Sequence, residues 1–431
     1  MGLLVQRRLF QYIDAHFTPY QEQVLAALQR LSESDHHLHA EVLVSHLQHW
    51  QARTKILDTA QQLIYAEYAP GAPTALLRYL PISSPDQLVQ VLYDIIALKA
   101  YRRIYKDHPL TMKWLLDLSN GAALATLTAA QLEDVQAAGC LWHAPEKDTT
   151  DRPLLALGTK GMLCVELSVQ TGQVAPPLTH DAVLPNALWR LLWAISGLKN
   201  PQEDILLEGF YDTVVPLEGE LTSVFYELDL PAQNSSFVQQ WGIAQPLLGL
   251  HGVPFHYAHR LTPTCTIVYI THEHITHTPS HTQFLPAQAS ALLLFHLVPG
   301  QDPEDIFQKL CRHLQSHGFD DVHARVQQAY SPFVQDRHHT FIRAVEEALI
   351  STYNNSSVNR SNVPVLLPLS AGSYPIESLR KAFDLPVVLD LSDLAAETIA
   401  HNDPIHNAIN IGHYIKQRAA LMALLAKQQA K

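Results

Sequence analysis

The sequence predicts an α/β protein of two domains: a larger one on a central mixed, mainly parallel sheet, and a smaller α+β domain inserted into it. Two observations predict this. Amphipathic helical stretches alternate with short apolar strands toward both ends of the chain, the order that builds a mainly parallel sheet. Between them, near Gly158, the texture changes to half-buried strands of period two, and after Ser331 it changes back. The larger domain is therefore expected over residues 1–157 and 331–431, and the insert over 158–330.

Helix is expected over about the first 60 residues, where Leu9, Ile13, Phe17 and Tyr20, then Val24, Leu28 and Leu31, recur at three- to four-residue steps. Leu63–Tyr68 reads as a strand stopped by Pro70-Gly71-Ala72-Pro73, and Ala75–Leu80 as a second. Leu88–Tyr105 is helical and Met112–Leu116 a short apolar strand. In the insert, Leu163, Val165, Leu167 and Val169 face one way and Cys164, Glu166 and Ser168 the other. A helix over Pro185–Gly197, a strand around Ile205–Leu207 and a strand through Thr266, Val268 and Ile270 follow. Leu292–Val298, a helix opened by Asp302-Pro303-Glu304-Asp305 and ended by Gly318, and a strand through Val322, Ala324 and Val326 form a β-α-β unit. Helix Phe341–Tyr353, buried strands Val365–Leu367 and Val387–Leu391, and a helix striped by Ile411, Tyr414, Ile415, Met422 and Leu425 complete the chain.

Composition narrows the function. Of 431 residues 47% are hydrophobic and 16% charged, which suits a well-buried core rather than long disorder. The formal charge is −12 with no Lys/Arg block, so a nucleic-acid partner is not expected. Cys140, Cys164, Cys265 and Cys311 form no C-x-x-C pair and suit a reducing cytosol. The start, Met1–Arg8, has the wrong charge order for a signal peptide, and Gln6 stands where myristoylation wants Ser or Thr. Apolar runs such as Ala291–Val298 are too short to span a bilayer. A soluble cytoplasmic protein without membrane association is expected.

Several stretches resemble the di-zinc peptidase and deacylase family of clan MH, which includes carnosinase-like dipeptidases and acetylornithine deacetylase. Asn186–Leu191 followed by Leu207-Glu208-Gly209-Phe210-Tyr211-Asp212-Thr213-Val214 is similar to the dipeptidase branch's Asn-Pro segment and Gly-Phe-Tyr-Asp-x-Val signature. Phe295–Pro303 is similar to its Phe-Arg-Leu-Val-Pro-x-Gln-x-Pro, and Ser370–Ile376 to its Gly-Gly-Ser-Ile-Pro. Tyr65–Tyr68 and Leu157–Gly161 add weaker echoes in the family's order. The resemblance implies a catalytic-type domain built from both chain ends and a ferredoxin-like lid domain that dimerises.

It also implies several His, Asp and Glu ligands, a bridging carboxylate and a Glu base, most of which have no counterpart here. The loop carrying the family's first His-x-Asp is missing between Arg78-Tyr79-Leu80-Pro81 and Ile82. Ser83-Ser84-Pro85-Asp86-Gln87 replaces the stretch with the bridging carboxylate. After the Trp114–Leu116 strand, Asn120 and Gly121 stand at the base and ligand positions, and neither accepts a proton near neutral pH. The next Asp ligand falls near Ala138-Gly139-Cys140, and the substrate-carboxylate Arg lines up with Leu369. His401 resembles one surviving ligand, and His180 the lid His that serves a partner subunit's site; Gly372 and Ser373 mark the same cleft. A lone imidazole does not supply the three protein ligands of catalytic zinc, so His401 reads more simply as a vestige.

Other signals have plainer readings. His272, His274, His277 and His281 allow a surface metal site but also fit an exposed, titrating strand and loop. Glu67, Asp86, Asp117 and Asp181 read as loop or strand-end acids, and Tyr211 and Asp212 as lid-shaping residues. Cys140 near His143 reads as a buried structural thiol rather than a nucleophile. The expectation is a pseudo-peptidase without catalytic residues or cofactor, acting as a homodimer through the lid or as a heterodimer with an active relative. Two alternatives stand beside it: an active metallohydrolase for dipeptides or N-acyl amino acids with a rebuilt site, and a peptide or amino-acid binding module.

Overall fold

Leu9, Ile13, Val24 and Leu31 are buried along one stripe, and the chain opens with helices α1 (Gly2–Ala15), α2 (Phe17–Glu33) and α3 (Ala40–His49). The helical start is shorter than its periodicity suggests. Gln51 takes φ +68° and turns the chain, so that Arg53–Ile56 forms a strand, β1, beside β2 (Leu63–Tyr68). The computed structural model describes residues 2–33, 39–106, 109–119, 121–128, 133–144, 154–217, 219–228, 241–272, 284–353, 364–391 and 404–429.

The chain forms two units: 1–158, 335–370 and 375–431 in one, 159–334 and 371–374 in the other. The first unit is built on an eight-stranded mixed sheet. It adds β3 (Thr74–Pro81), β4 (Leu110–Asp117), β5 (Cys140–His143), β6 (Leu154–Ala156), β13 (Val365–Leu367) and β14 (Val387–Asp390), in the order β1-β2-β4-β3-β5-β14-β6-β13. The pairs β4/β3, β3/β5, β5/β14 and β6/β13 are parallel; β1/β2, β2/β4 and β14/β6 are antiparallel. The sheet is thus mixed and parallel at its centre. Helix α4 (Val89–Ile104) packs on β4, and α12 (Pro404–Gln429) packs on β3, on α4 and on α10 (Thr340–Tyr353). Strands covered by such helices read as continuous apolar runs, as in Leu76-Leu77 and Val387-Val388-Leu389. Short helices α5 (Ala122–Thr126) and α11 (Ile376–Phe383) fill loops.

The second unit holds a four-stranded antiparallel sheet of β8 (Gly161–Gln170), β9 (Thr264–His272), β10 (Gln288–Leu297) and β11 (Val322–Tyr330), in the order β11-β8-β10-β9. Helix α6 (Ala187–Ser196) packs on β8 and β10, and α9 (Pro303–Ser316) on β11 and β8. The β-α-β-β-α-β order is ferredoxin-like, and β10 and β11 run parallel with β8 between them. The N-terminus of α9 forms as its sequence dictates: Asp302 accepts from the amides of Glu304 at 2.9 Å and Asp305 at 3.2 Å, with Pro303 in the first turn. Ile306, Leu310 and Leu314 lie against Leu163, Val165 and Leu167 in one core. Two further helices, α7 (Glu220–Leu228) and α8 (Gly252–Leu261), precede β9, and β7 (Gly158–Thr159) pairs β12 (Phe333–Val334) in a small ribbon. Ile205–Leu207 is not a strand. Its only strand-like contact is a single bridge from Ile205 to Lys199, because the Tyr211 hydroxyl takes the Ile205 amide at 2.9 Å.

Candidate functional site

Strands β4, β3, β5 and β14 run parallel and end together at one edge of the sheet, the edge where open α/β sheets bind ligands. Their last residues are Asp117, Pro81, His143 and Asp390. Side chains alternate across a sheet, so these strands deliver two separate sets. The register puts Tyr79, Asp117 and Trp142 on one face, and Arg78, Trp114, His143 and Asp390 on the other.

On the first face Asp117 is the centre. Its carboxylate accepts from the Tyr79 hydroxyl at 2.5 Å, the Ser119 amide at 2.7 Å, the Ser119 hydroxyl at 2.6 Å and the Gly121 amide at 2.8 Å. The Tyr79 ring stacks on Trp142 with centroids 3.6 Å apart. Four donors commit a carboxylate's lone pairs, so Asp117 organises a turn rather than offering a free ligand. Gly121 has φ +98°, and a Cβ there would meet Pro375 Cγ at 2.8 Å, so the backbone requires glycine at the position where the resemblance expects a ligand. Asn120 lies outside the described residues.

The other stretches where the resemblance expects site residues also do structural work. Ser84 and Gln87 form a capping box before α4, with Gln87 Oε1 accepting from the Ser83 amide at 2.7 Å. Leu369, where the resemblance expects an Arg, is fully buried. Ala138-Gly139-Cys140 stands at the amino end of β5, where the Leu77 amide donates to Gly139 at 3.1 Å. The β5 residue at the carboxyl edge is His143. The Cys140–His143 pairing also dissolves, because the two point to opposite faces, and burial pushes the Cys140 thiol up to about 12.

The second face carries a group that the sequence reading missed. Asp390 and His143 are register partners on adjacent strands. Burial pulls the His143 imidazole down to about 4; Asp390 opposes this, while Arg78 and Arg418 add to it. Behind them Asp94 on α4 accepts from Arg78 Nη1 at 3.1 Å and Trp114 Nε1 at 2.8 Å, with Arg418 Nε 2.8 Å from its Oδ1. The available signal was a charge inside an apolar run: Arg78 within Leu76–Leu80 and Asp94 within Val91–Leu98.

In the second unit Gly372 and Ser373 are stitched to the start of β8. The Gly372 carbonyl accepts from Thr159 Oγ1 at 2.8 Å and from the Lys160 amide at 3.2 Å. Ser373 donates its hydroxyl to the Gly161 carbonyl at 2.8 Å, while His296 Nδ1 lies 2.9 Å from that hydroxyl oxygen. A hydroxyl already donating to a carbonyl is not activated by its imidazole, so this pair is a brace and not a nucleophile with its base. Burial first, then Lys160, holds His296 down to about 4. Lys160 Nζ donates to the carbonyls of His259 at 2.9 Å and Thr262 at 3.0 Å, closing the end of α8. His180 is exposed in a single turn, its Nδ1 near Thr179 Oγ1 and the Pro177 carbonyl.

Among the described residues no three His, Cys, Asp or Glu side chains come together as a metal set. His143 and Asp390 are two donors, fewer than a zinc centre takes from its protein, and Asp117 is saturated. Among the described residues this donor set does not fit a pair of zinc ions. Glu67 accepts from Tyr65 at 3.1 Å, and Asp86 sits in the first turn after Ser84. His401, His274, His277 and His281 lie outside the described residues. No described helix is long and apolar enough to cross a membrane.

No family model matches the chain, and no curated protein matches its sequence. Solved structures do match. The M20 family metallo-carboxypeptidase Sso-CP2 from Sulfolobus solfataricus superposes with TM-score 0.70 and 21% identity, over 90% of this chain and 94% of that one. Human carnosine dipeptidase 1 gives 0.69 and 17%, over 98% and 99%. The di-peptidase Dug1p from Saccharomyces cerevisiae gives 0.71 and 14%, over 99% of each. At these identities the likeness establishes a shared fold: the chain has the architecture of M20 metallopeptidases along nearly its whole length.

Proposed function

We propose that this chain is a non-catalytic relative of the M20 metallopeptidases that serves as a dimeric scaffold or as a regulatory partner of an active relative. The carrying observation is what stands where the resemblance expects the chemistry: a capping box at Ser84 and Gln87, and a glycine-only turn at Gly121 whose amide is held by a four-fold saturated Asp117. Each group serves the backbone, while di-zinc hydrolysis requires ionisable side chains free to bind metal and activate water. Metal content and dipeptide cleavage, measured on protein made in zinc-supplemented medium, test the reading. Expected are well under one zinc per chain and no turnover; stoichiometric zinc with cleavage overturns it.

The second reading, a rebuilt hydrolase, is favoured by the His143–Asp390 pair at the carboxyl edge. Under it, His143→Ala lowers both zinc content and turnover.

The dimer is drawn from β9, an edge strand whose sequence Thr-Cys-Thr-Ile-Val-Tyr-Ile-Thr-His has neither Lys nor Pro. Ile267, Val268, Tyr269 and Ile270 are all exposed on it, and Trp189 and Trp193 stack on the outer side of α6. Soluble proteins usually guard such an edge, and pairing with a second copy covers it. Four free cysteines support a reducing, cytoplasmic location.

A further inference from the structure

Arg78 and Arg418 are 2% and 6% exposed and share Asp94, which is fully buried. Arg78 Nη1 and Arg418 Nε lie against its Oδ1 at 3.1 and 2.8 Å, and Arg418 also donates to Gln90. Arg78 Nε and Nη2 are buried and reach no acceptor of the protein. A guanidinium keeps its proton, so both remain donors inside the core. The second acid of the cluster is Asp390, whose charge acts on Arg418 and on His143, its register partner. Two cations therefore face two anions, and the cluster as a whole is neutral.

Arg78, Asp390, Gln417 and Arg418 line one cavity together with Leu141, the β5 partner of Arg78. It lies on the sheet face that carries Arg78, His143 and Asp390. Its volume of ≈ 20 Å³ suffices for one water, which needs about 10–15 Å³ and at least two polar partners. A neutral setting calls for an occupant without charge. The unpaired donors of Arg78, beside the Asp390 carboxylate, call for one that both accepts and donates. We infer that one buried water binds here, accepts from Arg78 Nε or Nη2 and donates to Asp390. It joins β3 to the carboxyl end of β14 across β5, and so holds Asp390 in place opposite His143.

Neutron diffraction from crystals of the full chain in heavy water tests the site. Expected is one water molecule in the cavity, within hydrogen-bond distance of Arg78 Nε or Nη2, with a deuterium directed at an Asp390 oxygen. In solution, Ala348→Leu fills the cavity and should remove one long-lived water from those that relaxation dispersion of the water oxygen detects in the wild type. The diffraction result decides by itself where this variant does not fold. An empty cavity, an ion in place of the water, a water that contacts Arg78 and not Asp390, or an unchanged number of long-lived waters in the folded variant overturns the inference.

Discussion

Tyr79 and Asp117 stand on neighbouring parallel strands, two residues before the end of β3 and at the end of β4, and share a 2.5 Å hydrogen bond near the carboxyl edge of the sheet, where open α/β sheets bind ligands. The phenol leans on Trp142, so the bond and the stack close that edge together. Tyr79→Phe keeps the stack and removes one of four donors to a buried carboxylate. A loss of about 1.5–3 kcal/mol is expected in denaturant unfolding, as for hydrogen bonds to charged groups. A loss below about 0.5 kcal/mol would mean that the bond does not hold the Asp117 turn.

Asp94 binds both buried arginines, and Arg418 also donates to Gln90 and lies over the Tyr414 ring. Asp94→Asn leaves both guanidinium groups buried against a neutral amide, and a cost of about 3–5 kcal/mol is expected from equilibrium unfolding. Arg418→Met should cost less, because it also removes a desolvated cation; its charge is already disfavoured by burial and by Arg78. If the arginine variant is the more damaging, the packing of its stem matters more than the charge.

Two imidazoles are held neutral: His143 at about 4 and His296 at about 4, each first by burial. Their ordinary value is about 6.5, so below that pH the unfolded chain binds protons that the folded chain refuses. Stability is therefore complete above about pH 6.5 and falls as pH drops toward 4, with a slope of up to about 1.4 kcal/mol per pH unit for each histidine. Urea midpoints measured from pH 7.5 to 4.5 check this. A flat profile across that window would contradict neutral burial of the two rings.

The exposed edge of β9 sets the oligomeric state expected of the protein. Ile267→Lys puts a charge on a strand that otherwise has none, and a shift from dimer to monomer is expected by light scattering, with the fold of each chain kept. Wild-type protein that is monomeric at micromolar concentration would remove this interface.

The amino-acid order by itself determined the elements and the frame. Period-two burial in β8, the Asp302 cap and Pro303 of α9, and the apolar runs of β3 and β14 are local consequences of side-chain alternation and backbone satisfaction, legible without any partner element. The tertiary structure alone decided what stands at the carboxyl edge. Register sends Cys140 and His143 to opposite faces, sets Asp390 opposite His143 and brings Arg78, Asp94 and Arg418 together across long stretches of chain. Burial and pairing of charges depend on which strands and helices become neighbours, and no window of sequence contains that information.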